Sequence, residues 1–159
     1  MDLRLLYALI LSILPISELR GGLPLAIIFA NDNNIPLIFI FPLIVMMNIL
    51  AVFIAFYFFD HIHKFLLKRE FYKRIFEKYL GKIQKKIDKF EKQYSTTGFL
   101  ALAIFVGIPL PGTGAWTGCI IAWLLDLDRK KSILAISLGV LIAGILMLLG
   151  TLGFMKIFS

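Results

Sequence analysis

Apolar residues dominate the chain and fall into four regions separated by short polar stretches. The regions cover residues 3–30, 35–59, 99–125 and 132–158. The second and fourth are uninterrupted. At 1.5 Å per residue each reaches about 37–40 Å, more than the hydrocarbon core of a bilayer, which is about 30 Å thick. We therefore predict that these two regions are transmembrane helices.

The first and third regions are each divided by a motif rich in proline and glycine. Residues 14–24 read Leu-Pro-Ile-Ser-Glu-Leu-Arg-Gly-Gly-Leu-Pro, and residues 108–116 read Ile-Pro-Leu-Pro-Gly-Thr-Gly-Ala-Trp. The pieces on either side have about 8 to 14 residues, or about 12–21 Å, and are too short to span a membrane. Because proline and glycine interrupt helices, we predict a helix break at each motif and two re-entrant hairpins.

The distribution of positive charge favours this arrangement. Of the seventeen lysines and arginines, eleven lie in residues 60–98 and three more at residues 129–131. These two groups share one side of the membrane if the first and third regions are re-entrant, and opposite sides if all four regions span. Since basic loops are cytoplasmic, we predict a multi-pass protein of the cell membrane with cytoplasmic basic loops and both termini outside.

The layout of a broken region followed by a spanning region occurs twice. Leu14-Pro15-Ile16 resembles Ile108-Pro109-Leu110, 94 positions later, and one hairpin enters from each side, which predicts halves of inverted topology. We predict an all-α integral membrane protein forming a single membrane domain over residues 1–159. Residues 1–59 form the first half, 60–98 a connector and 99–159 the second half. The start of the chain lacks a net-positive segment, so we do not expect a cleaved signal peptide.

The connector has the pattern of a basic amphipathic helix. Its apolar positions recur at steps of three and four and comprise Tyr72, Phe76, Tyr79, Ile83, Ile87, Phe90 and Tyr94. The opposite face carries Lys73, Lys78, Lys82, Lys85, Lys86, Lys89 and Lys92. This pattern favours a cytoplasmic helix on anionic lipid headgroups or packed on the bundle, and a helix that pairs in a dimer is the alternative. We therefore do not take the net charge of +7 as an indication of nucleic-acid binding.

We expect a homodimer, because four membrane-embedded elements are too few to enclose a transport path.

Glu18 and Arg20 are charged residues inside an apolar region. Charge in hydrocarbon is costly and usually faces protein or a cavity, where it marks a site. One interpretation is a buried ion pair that fixes the hairpin tip. The other is that Arg20 holds an anionic group while Glu18 takes up and releases a proton, because a carboxyl group in an apolar environment favours its neutral form.

Other candidate substrate-binding residues surround the two motifs. They are Gly21, Gly22 and Pro24 in the first, Pro109, Pro111, Gly112, Thr113, Gly114 and Trp116 in the second, and Asn48 in the middle of the second region. Exposed amides at a helix start favour an anion, so Gly112–Gly114 are predicted to face Arg20. A tightly packed turn is the alternative for the second motif. For Asn48, hydrogen bonding between helices competes with cavity lining.

The remaining reactive residues do not indicate an enzyme. The serine, cysteine and histidine residues form no hydrolytic pattern, and Cys119 lies among aliphatic residues. His61 and His63 lack further ligands nearby, so we predict no metal site and place both at the solvated interface. No cofactor is expected.

The two motifs resemble the signatures of the small multi-drug export protein family, which is similar in layout to the DedA superfamily of SNARE-associated, VTT-domain membrane proteins. The resemblance covers essentially the whole chain and implies paired re-entrant hairpins and translocation of a lipid or small molecule. Relatives of the DedA type are linked to flipping of polyprenyl phosphate carriers, and eukaryotic ones to phospholipid scrambling. By position, Glu18 and Arg20 match the acidic and basic residues of the first motif. The second motif departs from the DedA pattern, since no arginine or acidic residue lies between Val106 and Leu125.

Together these observations predict a transporter or flippase for an amphipathic anion, most concretely a polyprenyl phosphate lipid, with proton coupling through Glu18. One alternative is export of hydrophobic cations, with Glu18 as the ligand. Another is a membrane scaffold or assembly factor that recruits partners through the basic connector.

Overall fold

The computed structural model describes residues 3–66, 68–78, 80–82 and 98–158, and the regular secondary structure of these residues is helical. The first half contains α1 (Leu3–Ile13), α2 (Glu18–Asp32) and α3 (Leu37–Tyr57). A π-helical turn (Phe58–Ile62) leads from α3 into the short α4 (His63–Leu66). Residues 70–78 and 80–82 are helical and are called α5. The second half contains α6 (Phe99–Gly107), α7 (Ala115–Leu124) and α8 (Arg129–Phe158).

Among the described residues, two helices are long and apolar enough to cross a membrane. One is α3 with its π-helical turn, Leu37–Ile62 (26 residues), and the other is Arg129–Ile157 of α8 (29 residues). Their lengths correspond to about 39 and 44 Å, more than the hydrocarbon thickness of about 30 Å. Large apolar side chains on their outer faces are exposed, as expected for contact with lipid, and include Ile38, Phe39, Met46, Leu134 and Leu149. The two predicted transmembrane helices are confirmed as apolar helices of spanning length.

The short helices pair around the two motifs. α1 packs along α2, and α6 and α7 follow one another around residues 108–114. With 11, 15, 9 and 10 residues, these four helices reach about 14–23 Å and are each too short to span. The turn at residues 14–17 together with the first three residues of α2, residues 18–20, is called tip 1. The turn at residues 108–114 together with the first two residues of α7, Ala115 and Trp116, is called tip 2.

The predicted helix break at residues 14–24 is wrong for residues 18–24. The helix is interrupted at residues 14–17, whereas α2 begins at Glu18 and continues through Pro24. Pro15 disfavours helical geometry in the residue before it, which helps to end α1. Pro24 lies in the second turn of α2, and tightly packed membrane helices tolerate proline there. Residues Glu18–Pro24 are therefore helical.

The second helix of each pair ends in the same way. Asn34 and Asp126 both have positive φ angles, 53° and 49°. The next residue donates its N–H five positions back in both cases, from Ile35 to Ala30 (2.8 Å) and from Leu127 to Ala122 (2.9 Å). These are Schellman motifs, and each directs the chain into a long helix. The order of two short helices, a capped turn and a long helix thus occurs twice, while the inverted relation of the halves stays a prediction.

Polar contacts show which helix ends lie together. Arg129, at the start of α8, pairs with Asp60, at the end of α3 (2.8 Å), so these two ends are adjacent. Arg4, near the start of α1, pairs with Asp32, at the end of α2 (3.1 Å). The Asp60 end, which also carries α5 and residues 129–131, is called the basic end. Both basic groups therefore lie at one end of the bundle within the described residues, as the re-entrant arrangement requires.

For α5, the described residues agree with the predicted amphipathic helix. Tyr72 and Phe76 are half-buried and pack against His63, whereas Lys73, Lys78 and Lys82 are exposed. The predicted positions at Tyr79, Ile83, Ile87, Phe90 and Tyr94, and at Lys85, Lys86, Lys89 and Lys92, lie outside the described residues.

Candidate functional site

The two tips contact each other through the carboxylate of Glu18. This carboxylate accepts hydrogen bonds from the backbone N–H groups of Ala115 (3.0 Å) and Trp116 (3.1 Å). Ala115 and Trp116 are the first residues of α7, and the first amides of a helix have no acceptor within the helix. A negative charge there is also favoured by the helix dipole. Glu18 therefore caps α7 from the other half of the chain.

The backbone of Glu18 has an unusual conformation that directs its side chain. Its φ angle is +47°, in the left-handed region that costs a residue with a side chain about 1–2 kcal/mol. Its N–H still donates to the carbonyl of Leu14 (3.1 Å), which closes tip 1. The Glu18 side chain is 8 % exposed. Such a conformation is typical of positions whose geometry is imposed by their surroundings, including functional sites.

Arg20 forms the second contact between the tips. Its Nη2 donates to the carbonyl oxygen of Thr113 (3.1 Å) and to Thr113 Oγ1 (3.1 Å). The Thr113 hydroxyl also lies 2.6 Å from the carbonyl of Ile108 and 2.7 Å from that of Leu110, so it organises tip 2 around itself. Arg20 is half-buried. Its guanidinium group has five N–H donors, and both bonds to Thr113 come from the same nitrogen, Nη2. The rest of the group remains suited to an anion.

Glu18 and Arg20 do not form a direct ion pair in the described structure, where each instead bonds to the other tip. The interpretation of a simple buried pair within tip 1 is therefore wrong. The predicted amides need a correction as well, because α7 begins at Ala115 and the amides engaged are those of Ala115 and Trp116. They face Glu18 rather than Arg20. The physical reason is that these N–H donors need an acceptor. The Glu18 carboxylate is an acceptor, whereas the Arg20 guanidinium has donors only.

Gly114 permits this close approach. A Cβ atom built on Gly114 would overlap the Glu18 carboxylate. The backbone of Gly114 is extended and open to any residue, so the requirement is for space. Gly112 is different, because its φ angle of 76° favours glycine and forms the turn of tip 2. The two glycines thus have separate roles, one in the turn and one in the contact.

Trp116 and Asn48 tie the tips to α1 and α3. The indole Nε1–H of Trp116 donates to the carbonyl of Ile13 (2.8 Å), and its ring makes edge contacts with Phe58 and Phe59. Asn48 is 1 % exposed and donates from Nδ2 to the carbonyl of Ser12 (2.6 Å). Asn48 thus joins helices, and it lines the cavity between the tips as well.

The other predicted residues lie around this contact. Pro109 lines the cavity, while Pro111 and Gly112 are on the exposed side of tip 2. Gly22 allows close packing of α2 on α1, because a Cβ there would overlap Ser12. Gly21 lies against Ser17 in the same hairpin, and Pro24 borders a groove between α2 and α8. Gly21, Gly22 and Pro24 are therefore not brought into the cavity, whose lining comprises Glu18, Arg20, Asn48, Pro109, Thr113 and Gly114 among the predicted residues.

The cavity between the tips is nearly filled by its own side chains and is flanked by two apolar grooves. Its volume is about 10 Å³, room for about one water molecule. One groove, of about 660 Å³, lies between α2 and α8 and shares Met147 with the cavity. The other, of about 650 Å³, lies between tip 1 and α5 and is bordered by Trp116. The contact between the tips, which Glu18 and Arg20 make, therefore lies between the two apolar grooves.

Comparison with known proteins identifies the family of the chain. Residues 18–146 match the family described as "Putative small multi-drug export protein". The chain belongs to this family. The match begins at Glu18, just after the turn at residues 14–17, includes tip 2 and ends within α8, so the resemblance predicted from the two motifs is confirmed. No curated protein and no solved structure matches the chain. Membership of an export family together with two apolar helices of spanning length indicates a membrane transporter.

Two features of this family member escaped the sequence analysis. Arg129 was considered only as one of the basic residues, yet it pairs with Asp60 and its guanidinium lies 4.1 Å from the ring centre of Phe56. The second is His63, which was expected at the solvated interface but is 1 % exposed. One sequence feature could have indicated these two contacts, because Arg129 and His63 each lie next to a long apolar region.

The ring of His63 is enclosed by aromatic residues. Its Nδ1 lies 2.8 Å from the hydroxyl of Tyr72, and the rings of Phe59, Phe76 and Trp123 surround it. Burial lowers the pKa of His63 and raises the pKa of Tyr72 from their usual values, because it disfavours the charged form of each. The neutral pair therefore holds α5 against the end of α3.

Proposed function

We propose that the protein transports an amphipathic anion across the membrane, most concretely a polyprenyl phosphate lipid. The observation that carries this proposal is the Glu18 carboxylate bound to the amides of Ala115 and Trp116, next to the half-buried Arg20. This is an anion bound at a helix start beside a guanidinium group, and a phosphate is bound well by the same donors. Glu18 occupies the position that the substrate headgroup takes.

The proposed exchange has a simple charge balance. A phosphate headgroup displaces the Glu18 carboxylate from the two amides and binds Arg20 in place of Thr113. The released carboxylate, buried without its hydrogen-bond donors, is stabilised by taking up a proton. The phosphate headgroup, which carries about −1.5 to −2 at neutral pH, thus replaces the carboxylate at the amides, Arg20 balances one of its negative charges, and Glu18 becomes neutral. This exchange couples the entry of the headgroup to a proton.

The apolar tail has surfaces along which to move. The grooves on the two sides of the tips have lining that is almost entirely apolar, including Phe58 and Phe76 in one and Ile28 and Phe154 in the other. A hydrocarbon chain gains free energy in lipid and in these grooves alike, so it needs no polar path. The headgroup alone crosses the cavity between the tips.

A transport assay tests the role of Arg20. Proteoliposomes containing fluorescent polyprenyl phosphate are treated with a membrane-impermeant quencher, and the loss of protected label gives the rate of exchange between leaflets. Replacing Arg20→Gln removes charge-assisted hydrogen bonds worth about 1.5–3 kcal/mol, so we expect at least a tenfold slower rate. Arg4→Gln is the matched control, because Arg4 pairs with Asp32 away from the tips, and it should retain the rate. Equal rates for Arg20→Gln and wild type would overturn the proposal.

Export of hydrophobic cations is the second candidate. It is favoured by the aromatic side chains that border the groove near tip 1, namely Phe58, Phe59, Tyr72, Phe76 and Trp116, since aromatic faces attract cations. In this alternative Glu18 leaves the amides to bind the cation. A hydrophobic phosphonium ion that is transported faster than the lipid phosphate, with the preference lost in Glu18→Gln, would select it.

A further inference from the structure

We propose that Arg129 is a second binding point for the anionic headgroup, at the basic end of the route. This inference rests on the proposed function and adds a residue to it. The sequence offered no second arginine near tip 2, since none lies between Val106 and Leu125. Arg129 lies outside that range, at the start of α8 and at the basic end.

Arg129 lies between the two long helices. Its Nη2 donates to both carboxylate oxygens of Asp60, at 2.8 and 3.0 Å, and its guanidinium carbon is 4.1 Å from the centre of the Phe56 ring. The side chains of Arg129 and Asp60 are 41 % and 35 % exposed. A ligand can therefore reach this pair from the surface. Asp60 occupies one edge of the guanidinium, in the way that a bound phosphate would.

Part of the hydrogen-bonding capacity of this region is not used within the described chain. Arg129 Nη1 and Ser132 Oγ are both buried, and neither has a hydrogen-bond partner there. Ser132 is 2 % exposed and follows Arg129 by three positions, so the two side chains lie on the same face of α8. A buried donor without a partner costs about 1–3 kcal/mol. Two buried polar groups without a partner on one face of α8 point to a site for an oxygen-rich anion.

The position of Arg129 connects it to the contact between the tips. Phe56, whose ring faces Arg129, lies one turn after Val52 on α3. Cys119 is fully buried on α7, one turn after Ala115. Its thiol lies 3.8 Å from the carbonyl of Val52, on α3. The first turns of α7 therefore extend from the tip contact towards Arg129. A headgroup released from Arg20 would meet Arg129 next, along the boundary between α3 and α7.

A simple structural role and a binding role predict opposite results for two variants. If Arg129 only neutralises Asp60, then Asp60→Asn and Arg129→Gln both remove the same pair and change ligand binding in the same direction. If Arg129 binds the headgroup, Asp60→Asn removes a competing anion and tightens binding, whereas Arg129→Gln weakens it. The sign of the change in Asp60→Asn therefore separates the two roles.

The experiment measures equilibrium binding of a fluorescent alkyl monophosphate to the full chain in phosphatidylcholine nanodiscs. We expect Arg129→Gln to bind about tenfold more weakly, Ser132→Ala to bind several-fold more weakly, and Asp60→Asn to bind more tightly than wild type. Lys130→Gln is the control for net charge, because Lys130 is adjacent and exposed, and it should change affinity less than twofold. Inorganic phosphate is added as competitor. Displacement of the probe at millimolar phosphate would assign the site to free phosphate, and no displacement would assign it to a lipid headgroup.

The outcomes distinguish this inference from the proposed function. If wild type and Arg20→Gln both fail to bind the monophosphate, the proposed function fails. If wild type binds, Arg20→Gln binds weakly, and Arg129→Gln equals Lys130→Gln, then only the second binding point is overturned. Weaker binding by both Asp60→Asn and Arg129→Gln would also overturn it, and thermal unfolding of each variant identifies any that is simply destabilised.

Discussion

The two tips of the molecule make one contact with different chemistry. Tip 1 contributes the charged side chains of Glu18 and Arg20, whereas tip 2 contributes backbone amides, a carbonyl and the hydroxyl of Thr113. The carboxylate meets N–H groups and the guanidinium meets oxygens. Each charge is thus partnered by dipoles of the other tip. This difference explains why one motif carries charges and the other carries glycine and proline.

The comparison shows how charge is accommodated in an apolar protein. A carboxylate and a guanidinium paired directly would be a strong contact with little reason to open. Backbone dipoles satisfy each charge separately, and the same dipoles accept another anion in exchange. The two tips are therefore complementary, since the charges lie on tip 1 and the dipoles on tip 2. If the tips separate, no net charge remains on tip 2. The following predictions test this difference.

The largest effect is expected from Gly114→Ala. The added Cβ overlaps the Glu18 carboxylate and displaces it from both amides. Overpacking costs about 1–3 kcal/mol, and the lost hydrogen bonds add to this. Reversible unfolding in mixed detergent micelles should show a loss of about 3 kcal/mol together with loss of transport. Gly150→Ala is the control, because a Cβ there meets open space, and it should be neutral. Equal stability of the two variants would show that the tips do not touch.

A smaller effect is expected from Glu18→Gln. The amide keeps the shape of the side chain but removes the charge, and its NH2 group has to face an N–H donor of α7. Hydrogen bonds to a charged group contribute about 1.5–3 kcal/mol, so we expect a loss in that range. Asp32→Asn breaks an exposed pair with Arg4 and should cost less than about 1 kcal/mol. If Glu18→Gln is as stable as Asp32→Asn, the carboxylate does not cap α7.

The smallest effect is expected from Trp116→Phe. It keeps an aromatic ring in the groove and removes the indole N–H that donates to Ile13. A single hydrogen bond to a neutral carbonyl contributes about 0.5–1.5 kcal/mol, and lost ring area adds to that. Trp123→Phe makes the same change in a ring packed on His63 and Phe59, away from the tips. Labelling of the native Cys119 by a maleimide should be faster in Trp116→Phe than in Trp123→Phe. The reverse order would contradict a role for Trp116 in holding the tips together.

Much of the fold follows from local patterns. The lengths of α3 and α8, the break at residues 108–114 and the exposed lysines of α5 depend on hydrophobic periodicity and on proline and glycine, which act within a few residues. The continuation of α2 through Pro24 was not predicted, because surrounding helices decide whether a proline interrupts a membrane helix. The burial of His63 depends in the same way on Tyr72, Phe76 and Trp123.

By itself, the sequence determined that this protein has long apolar helices, two interrupted regions and a basic end, and that Glu18 and Arg20 are charged residues in the middle of an apolar region. Only the tertiary structure decided their partners. The Glu18 and Arg20 contacts join residues 93 to 98 positions apart, and the Arg129 contact joins residues 69 apart. The physical reason is that the partners of Glu18 are backbone amides, which every residue except proline possesses. Which amide lacks an acceptor, and which one lies beside a carboxylate, depends on where a helix begins and on what packs against it.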